Sequence, residues 1–291
     1  MLKTRVMTAA VLLAVLLAAL FFLPTLGWLV FCALICALAA WEWAGLAGWG
    51  GKARAVYGVV LGCLCFVPVF LQMDFLRMPA VAVSPGMGFS VLFNLLFFLF
   101  LFAVLFWLLV VPFWLWRKWI LRSWIAAFVG IIVLIPPTLV FISLRDRGPL
   151  LLLAVCALVW VADIAAYFSG RAFGGKKLAP NISPGKTWAG AVGAVIGVLV
   201  YCNVLLWFVP GKIEIQHLLW FQLIFVILAA WSIIGDLFES LLKRQAGIKD
   251  SSNLLPGHGG ILDRIDSLTS TLTLVAFIFV LAGLILFRNL D

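Results

Sequence analysis

Residues 235–266 read GDLFESLLKRQAGIKDSSNLLPGHGGILDRID, and this stretch joins the end of one apolar segment to the start of the last. It holds five of the eleven acidic residues, four basic residues and one of the two histidines of the chain. Most of the remaining sequence is apolar. Because charge is so scarce elsewhere, its concentration here predicts that the functional site lies between these two segments.

The first part of the stretch has the spacing of a helix with one charged face. Asp236 and Glu239 lie three residues apart, and Lys243 lies four residues beyond Glu239. Residues with these spacings share one face of an α-helix. Gly247 is then expected to end the helix, since glycine favours the backbone conformation that follows a helix C-terminus.

The second part is a glycine-rich loop followed by more acidic residues. The run 256–260, PGHGG, cannot form a regular helix and predicts a tight turn whose N–H groups can approach an anion. Asp263 and Asp266 follow directly. Carboxylates on both sides of a basic loop suit Mg²⁺-assisted phosphate chemistry. The alternative is a charged loop at the membrane surface with an ion pair at a helix end.

Residues 240–266 resemble, without a departure, the 27-residue signature of phosphatidate cytidylyltransferases, also called CDP-diacylglycerol synthases. A weaker match lies upstream at residues 183–187, SPGKT. The resemblance covers roughly residues 160–266. It implies transfer of the cytidylyl group of CTP to phosphatidate with release of pyrophosphate, and it is compatible with a homodimer.

The resemblance also assigns roles to individual residues. It implies that Asp236 and Asp263 bind Mg²⁺, with Glu239 as a further candidate ligand and room for a second cation. The expected catalytic residues are Asp236, Asp263, Lys243, Arg244 and Lys249. The expected substrate-binding residues are Asp163, Ser183, Lys186, Thr187, His258, Arg264 and Asp266. For His258, a hydrogen bond that holds the turn is as compatible with the sequence as a proton-transfer role.

The composition is that of an integral membrane protein. Of 291 residues, 66% are hydrophobic and 11% are charged, and the mean hydropathy is +1.24. Soluble domains carry about 25% charged residues. Apolar runs of about 20 residues without alternation predict helices, and so an all-α polytopic fold. The net charge of +9 is then attributed to basic loops on one side of a bilayer, without a nucleic-acid partner.

The apolar runs predict about nine transmembrane helices. They span residues 6–23, 26–48, 55–71, 89–115, 124–143, 150–169, 188–209, 218–241 and 267–287. With the N-terminus in the cytoplasm, fifteen of the twenty Lys and Arg residues face the cytoplasm, which agrees with the positive-inside rule. We therefore expect an inner (plasma) membrane protein of a bacterium with its active site at the cytoplasmic face.

The chain is expected to have two parts. Residues 1–150 would form a membrane scaffold of five spans, and residues 151–291 a catalytic part with cytoplasmic loops 170–187 and 243–266. Glu42, late in the second span between Trp41 and Trp43, is expected to reach out to the interface beside Lys52 and Arg54.

Asp163 lies inside the sixth apolar run. A carboxylate within a spanning helix costs about 2.5–3.5 kcal/mol on insertion scales, which favours a functional role. The alternative is an acid that reaches out to Arg171 or Lys176.

The loop after Asp163 is predicted to bind phosphate. It is not a Walker A loop, because Pro180 stands where that motif needs glycine. Instead, Pro184 is expected near the first turn of the seventh span, with Ser183 or Thr187 as the cap. Free N–H groups at that helix N-terminus and the charge of Lys186 would then attract a phosphate.

Three other functions fit parts of the pattern. An ion-coupled transporter would explain the intramembrane acids, but the charges gather at one side and no internal repeat is seen. Another CTP-dependent membrane enzyme, such as a lipid kinase, would share the apolar scaffold but not the full signature. A CDP-alcohol phosphotransferase would need an Asp-Gly-x-x-Ala-Arg motif, which the sequence lacks.

Overall fold

The computed structural model describes residues 2–67, 98–208 and 214–288, and most of them are helical. The helices are α1 (Leu2–Phe22), α2 (Thr25–Leu46), α3 (Gly51–Leu64), α4 (Phe98–Arg117), α5 (Ser123–Arg147), α6 (Pro149–Phe173), α7 (Trp188–Trp207), α8 (Ile215–Gln245) and α9 (Leu262–Arg288). Two short strands, β1 (Lys177–Ala179) and β2 (Ser183–Thr187), lie between α6 and α7.

The predicted all-α polytopic membrane fold is confirmed. Within the described ranges, eight helices are long and apolar enough to cross a bilayer, namely all except α3. The third predicted span, residues 55–71, corresponds to α3 up to Leu64, and its last residues lie outside the described ranges.

The helices that carry the signature approach one another closely because small residues line their contacts. A Cβ atom on Gly190 would lie 2.9 Å from the carbonyl oxygen of Ala166, so α7 lies directly against α6. A Cβ atom on Gly235 would lie 2.8 Å from the carbonyl oxygen of Asp266, so α8 meets α9 in the same way. Small residues at helix crossings permit this close approach in membrane proteins. As a result, acidic residues from α6, α8 and α9 gather at one end of the bundle.

An aromatic cluster fixes the position of α8 beside the amino-terminal helices. Phe238 is 1% exposed, and its ring contacts Trp43 of α2 and Phe106, Trp107 and Trp114 of α4 at centroid distances of 5.6–6.4 Å. Edge-to-face pairs of this kind add to the energy of burial. Since Phe238 lies between Asp236 and Glu239 in sequence, the cluster also holds the backbone that carries both acids.

Helix α1 is largely exposed along its length, yet it is tied at both ends. At its C-terminal end, the guanidinium of Arg145 on α5 donates to the carbonyl oxygens of Leu20 and Leu23. Near its N-terminal end, the hydroxyl of Thr8 donates to the carbonyl oxygen of Pro256 at 2.9 Å. The first helix of the chain therefore touches the glycine-rich loop that precedes the last helix.

The segment before α7 differs from the prediction. Strands β1 and β2 pair antiparallel, with Lys177 opposite Thr187 and Ala179 opposite Ser183. Pro184 and Gly185 thus lie in a strand, and α7 begins only at Trp188. The expectation that Pro184 lies near the first turn of the helix is wrong. Gly185 and Lys186 have an extended backbone, and Lys186 therefore lies beside α8.

Candidate active site

One pocket lies between the hairpin and helices α6, α7 and α8, and we call it the hairpin pocket. It has a volume of about 440 Å³. It brings together five of the predicted site residues: Asp163, Ser183, Lys186, Thr187 and Asp236. Apolar and small side chains, including Ala166, Leu178, Ala191 and Ile233, form much of the remaining wall. Residues 73 positions apart in sequence therefore share one cavity.

Lys186 and Asp236 form an ion pair at the wall of the hairpin pocket. The ammonium nitrogen of Lys186 lies 2.5 Å from Oδ2 of Asp236, and each side chain is about one-quarter exposed. The other oxygen, Oδ1, accepts a hydrogen bond from the hydroxyl of Ser240 at 3.1 Å. One oxygen of Asp236 is thus held within α8, while the other faces a cation at the pocket.

Thr187 acts as the N-terminal cap of α7. Its hydroxyl oxygen accepts from the N–H of Gly190 at 3.1 Å, and the N–H of Trp188 donates to the carbonyl oxygen of Lys176 at 3.0 Å. Capping by threonine was one of the two predicted options, and Ser183 lies instead at the start of β2. These two N–H groups already have acceptors within the protein. In this pocket the charge of Lys186 would therefore attract a phosphate more strongly than the N–H groups at the start of α7.

A cluster of charge, which we call the charge cluster, consists of the buried residues Glu239, Lys243 and Asp263 together with the half-buried Asp266, which interacts electrostatically with Glu239. The ammonium of Lys243 lies 3.1 Å from Oε1 of Glu239 and 2.5 Å from Oδ1 of Asp263. Glu239 and Asp263 are 3% and 8% exposed. The predicted shared face of Glu239 and Lys243 on α8 is therefore confirmed, and it meets the first turn of α9. A buried pair of this kind is costly to break, because one charge would be left without compensation.

The second oxygen of Asp263 organises the loop between α8 and α9. Oδ2 accepts from the N–H of Ser251 at 2.8 Å, the hydroxyl of Ser251 at 2.9 Å and the N–H of Gly260 at 2.8 Å. Gly247, with φ +72°, ends α8 as predicted. The N–H groups of the loop were expected to approach a bound anion. The anion that Ser251 and Gly260 approach is a carboxylate of the protein itself.

Another pocket lies on this loop, and we call it the loop pocket. It has a volume of about 450 Å³, and the predicted residues Lys249, His258 and Arg264 line it. Arg5 of α1 lines it as well. The N–H of His258 donates to the carbonyl oxygen of Leu255 at 2.9 Å, which helps to close the turn. Nδ1 of its ring is buried and has no hydrogen-bond partner within the described ranges.

The two pockets and the charge cluster are close enough for their charges to interact. Arg264 of the loop pocket interacts electrostatically with Asp163 of the hairpin pocket. Asp266 of the charge cluster interacts in the same way with Asp236 and Lys186. Of the predicted residues, Arg244 stands apart: it lines neither pocket, and its guanidinium donates to the carbonyl oxygen of Ile248 at 3.2 Å.

Two residues of the site were missed in the sequence. Glu42 was expected to reach the membrane interface, and this is wrong: it is 0% exposed and accepts hydrogen bonds from residues 251–262. Arg54 instead lies over the ring of Trp41, 3.8 Å from its centroid. In the sequence, Arg5 was used only as one of the basic residues that indicate which loops face the cytoplasm. No local pattern around either residue points to a loop more than 200 positions away.

The carboxylate oxygens of the site have the chemistry that Mg²⁺ prefers. Asp236 and Asp263 share one arrangement, in which one oxygen is held by donors of the protein and the other lies 2.5 Å from a lysine ammonium. In each residue, the oxygen that these donors do not hold therefore already faces a lysine ammonium. No three metal-binding side chains converge on one point within the described ranges. Mg²⁺ binds proteins through one or two carboxylates together with water and substrate phosphates, and Asp236 and Asp263 are carboxylates of the kind that it prefers.

Comparison with known proteins agrees with this chemistry. Residues 3–282 match the cytidylyltransferase family. The chain is 38% identical to the phosphatidate cytidylyltransferase of Pseudomonas aeruginosa, over 97% of this chain and 98% of that protein. It is 36% identical to the phosphatidate cytidylyltransferase of Haemophilus influenzae, over 96% and 99% of the two chains. The match therefore extends far beyond the signature and includes the amino-terminal helices. The chain belongs to the cytidylyltransferase family.

Proposed function

We infer that the protein transfers the cytidylyl group of CTP to phosphatidate, giving CDP-diacylglycerol and pyrophosphate. The observation that supports this most directly is the presence of two pockets, each lined by basic side chains, whose charges interact with one another and with the carboxylates of the charge cluster. Two basic pockets suit a reaction between two phosphate-bearing molecules, because each pocket can neutralise one of them. The relatives named above carry this activity in their names.

The reaction requires the protein mainly to stabilise negative charge. A phosphate oxygen of the lipid attacks the α-phosphorus of CTP. A new P–O bond forms, and the bond from the α-phosphorus to the bridging oxygen breaks as pyrophosphate leaves with the electron pair. The second pKa of a phosphate monoester is about 6, so the attacking oxygen needs no dedicated base. The protein must instead neutralise and align two polyanions.

We propose that Lys186 neutralises phosphate charge in the hairpin pocket, and that Lys249, Arg264 and Arg5 do so in the loop pocket. Asp236 and Asp263 would hold Mg²⁺ through the oxygens that now face Lys186 and Lys243. When bound, the ion would supply further neutralisation of phosphate charge. Ser240 and Ser251 keep these two carboxylates oriented from behind.

We further propose that both pockets open to the cytoplasm at the inner membrane. The excess of Lys and Arg in the loops on that side supports this orientation. CTP would arrive from water, while the acyl chains of phosphatidate stay in the bilayer. A cysteine placed at Lys249 should react with a membrane-impermeant reagent only in inside-out vesicles. The homodimer stays a prediction, which the mass of the purified protein in detergent would check.

Pyrophosphate release by purified protein in detergent tests the proposed reaction. Release should require CTP, phosphatidate and Mg²⁺ together. Formation of CDP from CTP and a lipid alcohol would point instead to a lipid kinase. Folded protein that turns over neither pair of substrates would contradict both enzyme functions.

A Lys186→Met variant is expected to raise the KM for CTP by about 10- to 100-fold, because a charge-assisted hydrogen bond to phosphate would be lost. Initial rates at varied CTP and fixed phosphatidate would measure this. Lys186→Arg, which keeps the positive charge, should recover part of the affinity. An unchanged KM for CTP would remove Lys186 from the nucleotide site.

An Arg5→Gln variant is expected to raise the KM for one of the two anionic substrates by about 10-fold, with little change in kcat, because Arg5 lines the loop pocket without entering the charge cluster. Separate titrations of CTP and phosphatidate would show which substrate the loop pocket binds. Arg54→Gln is the matched control, since Arg54 stacks on Trp41 away from both pockets. If Arg5→Gln, like its control, changes neither the KM for CTP nor the KM for phosphatidate, the loop pocket does not bind substrate.

A further inference from the structure

Glu42 is a fully buried carboxylate that links the amino-terminal helices to the loop between α8 and α9. It lies near the end of α2 and is 0% exposed. Its partners all lie in residues 251–262, more than 200 positions later in the sequence. A buried carboxylate is costly unless hydrogen bonds compensate it. Here the donors of residues 251–262 compensate Glu42, and Glu42 in turn stabilises the position of that segment.

Both oxygens of Glu42 are occupied by donors from the two ends of the loop. Oε1 accepts from the hydroxyl of Ser252 at 2.6 Å and from the N–H of Ile261 at 3.0 Å. Oε2 accepts from the N–H of Leu262 at 2.6 Å and from the hydroxyl of Ser251 at 3.1 Å. The carboxylate thus holds residues 251 and 252 against the residues that begin α9.

The same donors connect Glu42 to Asp263. The hydroxyl of Ser251 lies within hydrogen-bonding distance of Oε2 of Glu42 and of Oδ2 of Asp263, at 3.1 and 2.9 Å. It has one proton to share between the two carboxylates. Gly260 leaves the necessary room, because a Cβ atom there would lie 2.5 Å from Oε1 of Glu42. A shift of Glu42 would therefore move the donors that orient Asp263.

We propose that Glu42 is a positioning residue for Asp263. By fixing the loop to the first turn of α9, it holds the Asp263 carboxylate beside the ammonium of Lys243, where it would also hold Mg²⁺. Glu42 itself touches neither pocket. The kinetic part of the proposal rests on the proposed function, whereas the structural part does not.

Replacement by glutamine is the sharpest substitution. An amide of the same length turns one acceptor oxygen into a donor, which in either orientation faces a backbone N–H, of Ile261 or of Leu262. A hydroxyl can turn to accept, but a backbone N–H cannot. One end of the loop would thus be released while the volume of the side chain is kept. Ser252→Ala removes a single donor that does not contact Asp263 and should have a smaller effect.

The test compares Glu42→Gln with Tyr57→Phe. The control removes one hydrogen bond among the amino-terminal helices, from the Tyr57 hydroxyl to the carbonyl oxygen of Ala127 at 2.7 Å, away from the loop. For Glu42→Gln we expect kcat to fall by about 10- to 100-fold, as for residues that orient a metal ligand, with a change of less than about threefold in the KM for CTP. Tyr57→Phe should leave kcat unchanged.

Hydrogen–deuterium exchange of peptides covering residues 249–262 gives a readout that does not depend on activity. Exchange there should be faster in Glu42→Gln than in the wild type or in Tyr57→Phe. Unchanged exchange, or a lower melting temperature with an unchanged kcat per folded molecule, would overturn the proposal. If the wild type released no pyrophosphate, the proposed function would fail, and the exchange experiment would still decide whether Glu42 holds the loop.

Discussion

An Asp263→Asn variant is expected to lose pyrophosphate release by a factor on the order of 10³. Oδ1 of Asp263 faces the ammonium of Lys243, and Oδ2 faces two N–H groups and a hydroxyl. An asparagine amide has one acceptor oxygen, so its NH₂ group must face donors on one side or the other. The variant also removes the charge that we propose binds Mg²⁺. Rates at saturating CTP, phosphatidate and Mg²⁺, per amount of monodisperse protein, would measure the loss.

The matched control for this experiment removes a carboxylate that lies outside the site. Glu214 is exposed and lies 4.0 Å from the ring nitrogen of His217. Glu214→Gln should therefore keep wild-type activity. If folded Asp263→Asn retained more than about a tenth of the wild-type rate, Asp263 could not have the role that we assign to it.

The Gly259→Ala variant is expected to reduce kcat by about 100-fold, a typical cost of displacing a catalytic group by roughly 1 Å. Gly259 has φ +84°, and a Cβ atom there would lie 2.6 Å from Oδ2 of Asp263. The new methyl group would occupy the space of the carboxylate and push it away from its donors. Steady-state rates at saturating substrates, compared with the wild type, would measure this.

Backbone strain alone predicts a much smaller effect at a comparable position. Gly247 has φ +72°, but a Cβ atom there would meet nothing within 4 Å. Gly247→Ala therefore carries the cost of a left-handed conformation, about 1 kcal/mol, without a clash. If the two variants lost the same activity, strain in the loop, rather than displacement of Asp263, would be the cause.

The sequence was sufficient for the helices and for most of the charged residues, because both are local signals. A run of about 20 apolar residues has few stable alternatives to a spanning helix, and the 27-residue signature identified the segment that carries Asp263. Asp163, Ser183, Lys186, Thr187 and Asp236 were assigned from separate stretches, and the structure places them in one pocket. Their individual roles stay predictions.

The sequence was insufficient where a partner lies far along the chain or the local signal is weak. A single glutamate near the end of an apolar helix is equally compatible with the interface and with a buried hydrogen-bond network, and only the position of residues 251–262 decides between them. The hairpin escaped prediction because strands of three and five residues, with Pro184 and Gly185 in one of them, lack the alternation typical of strands.

The separation between Glu42 and its partners also determines when the site can form during synthesis. The N–H of Leu262 lies 220 positions after Glu42, so this hydrogen bond closes most of the chain into one loop. Contacts of such long range form late, because their entropy cost must be met first. Until residues 251–262 have been synthesised, the carboxylate of a nascent chain lacks the four donors that compensate it. The loop between α8 and α9 therefore completes its connection to α2 late in synthesis, and chains that stop short of residue 251 would leave the charge of Glu42 uncompensated.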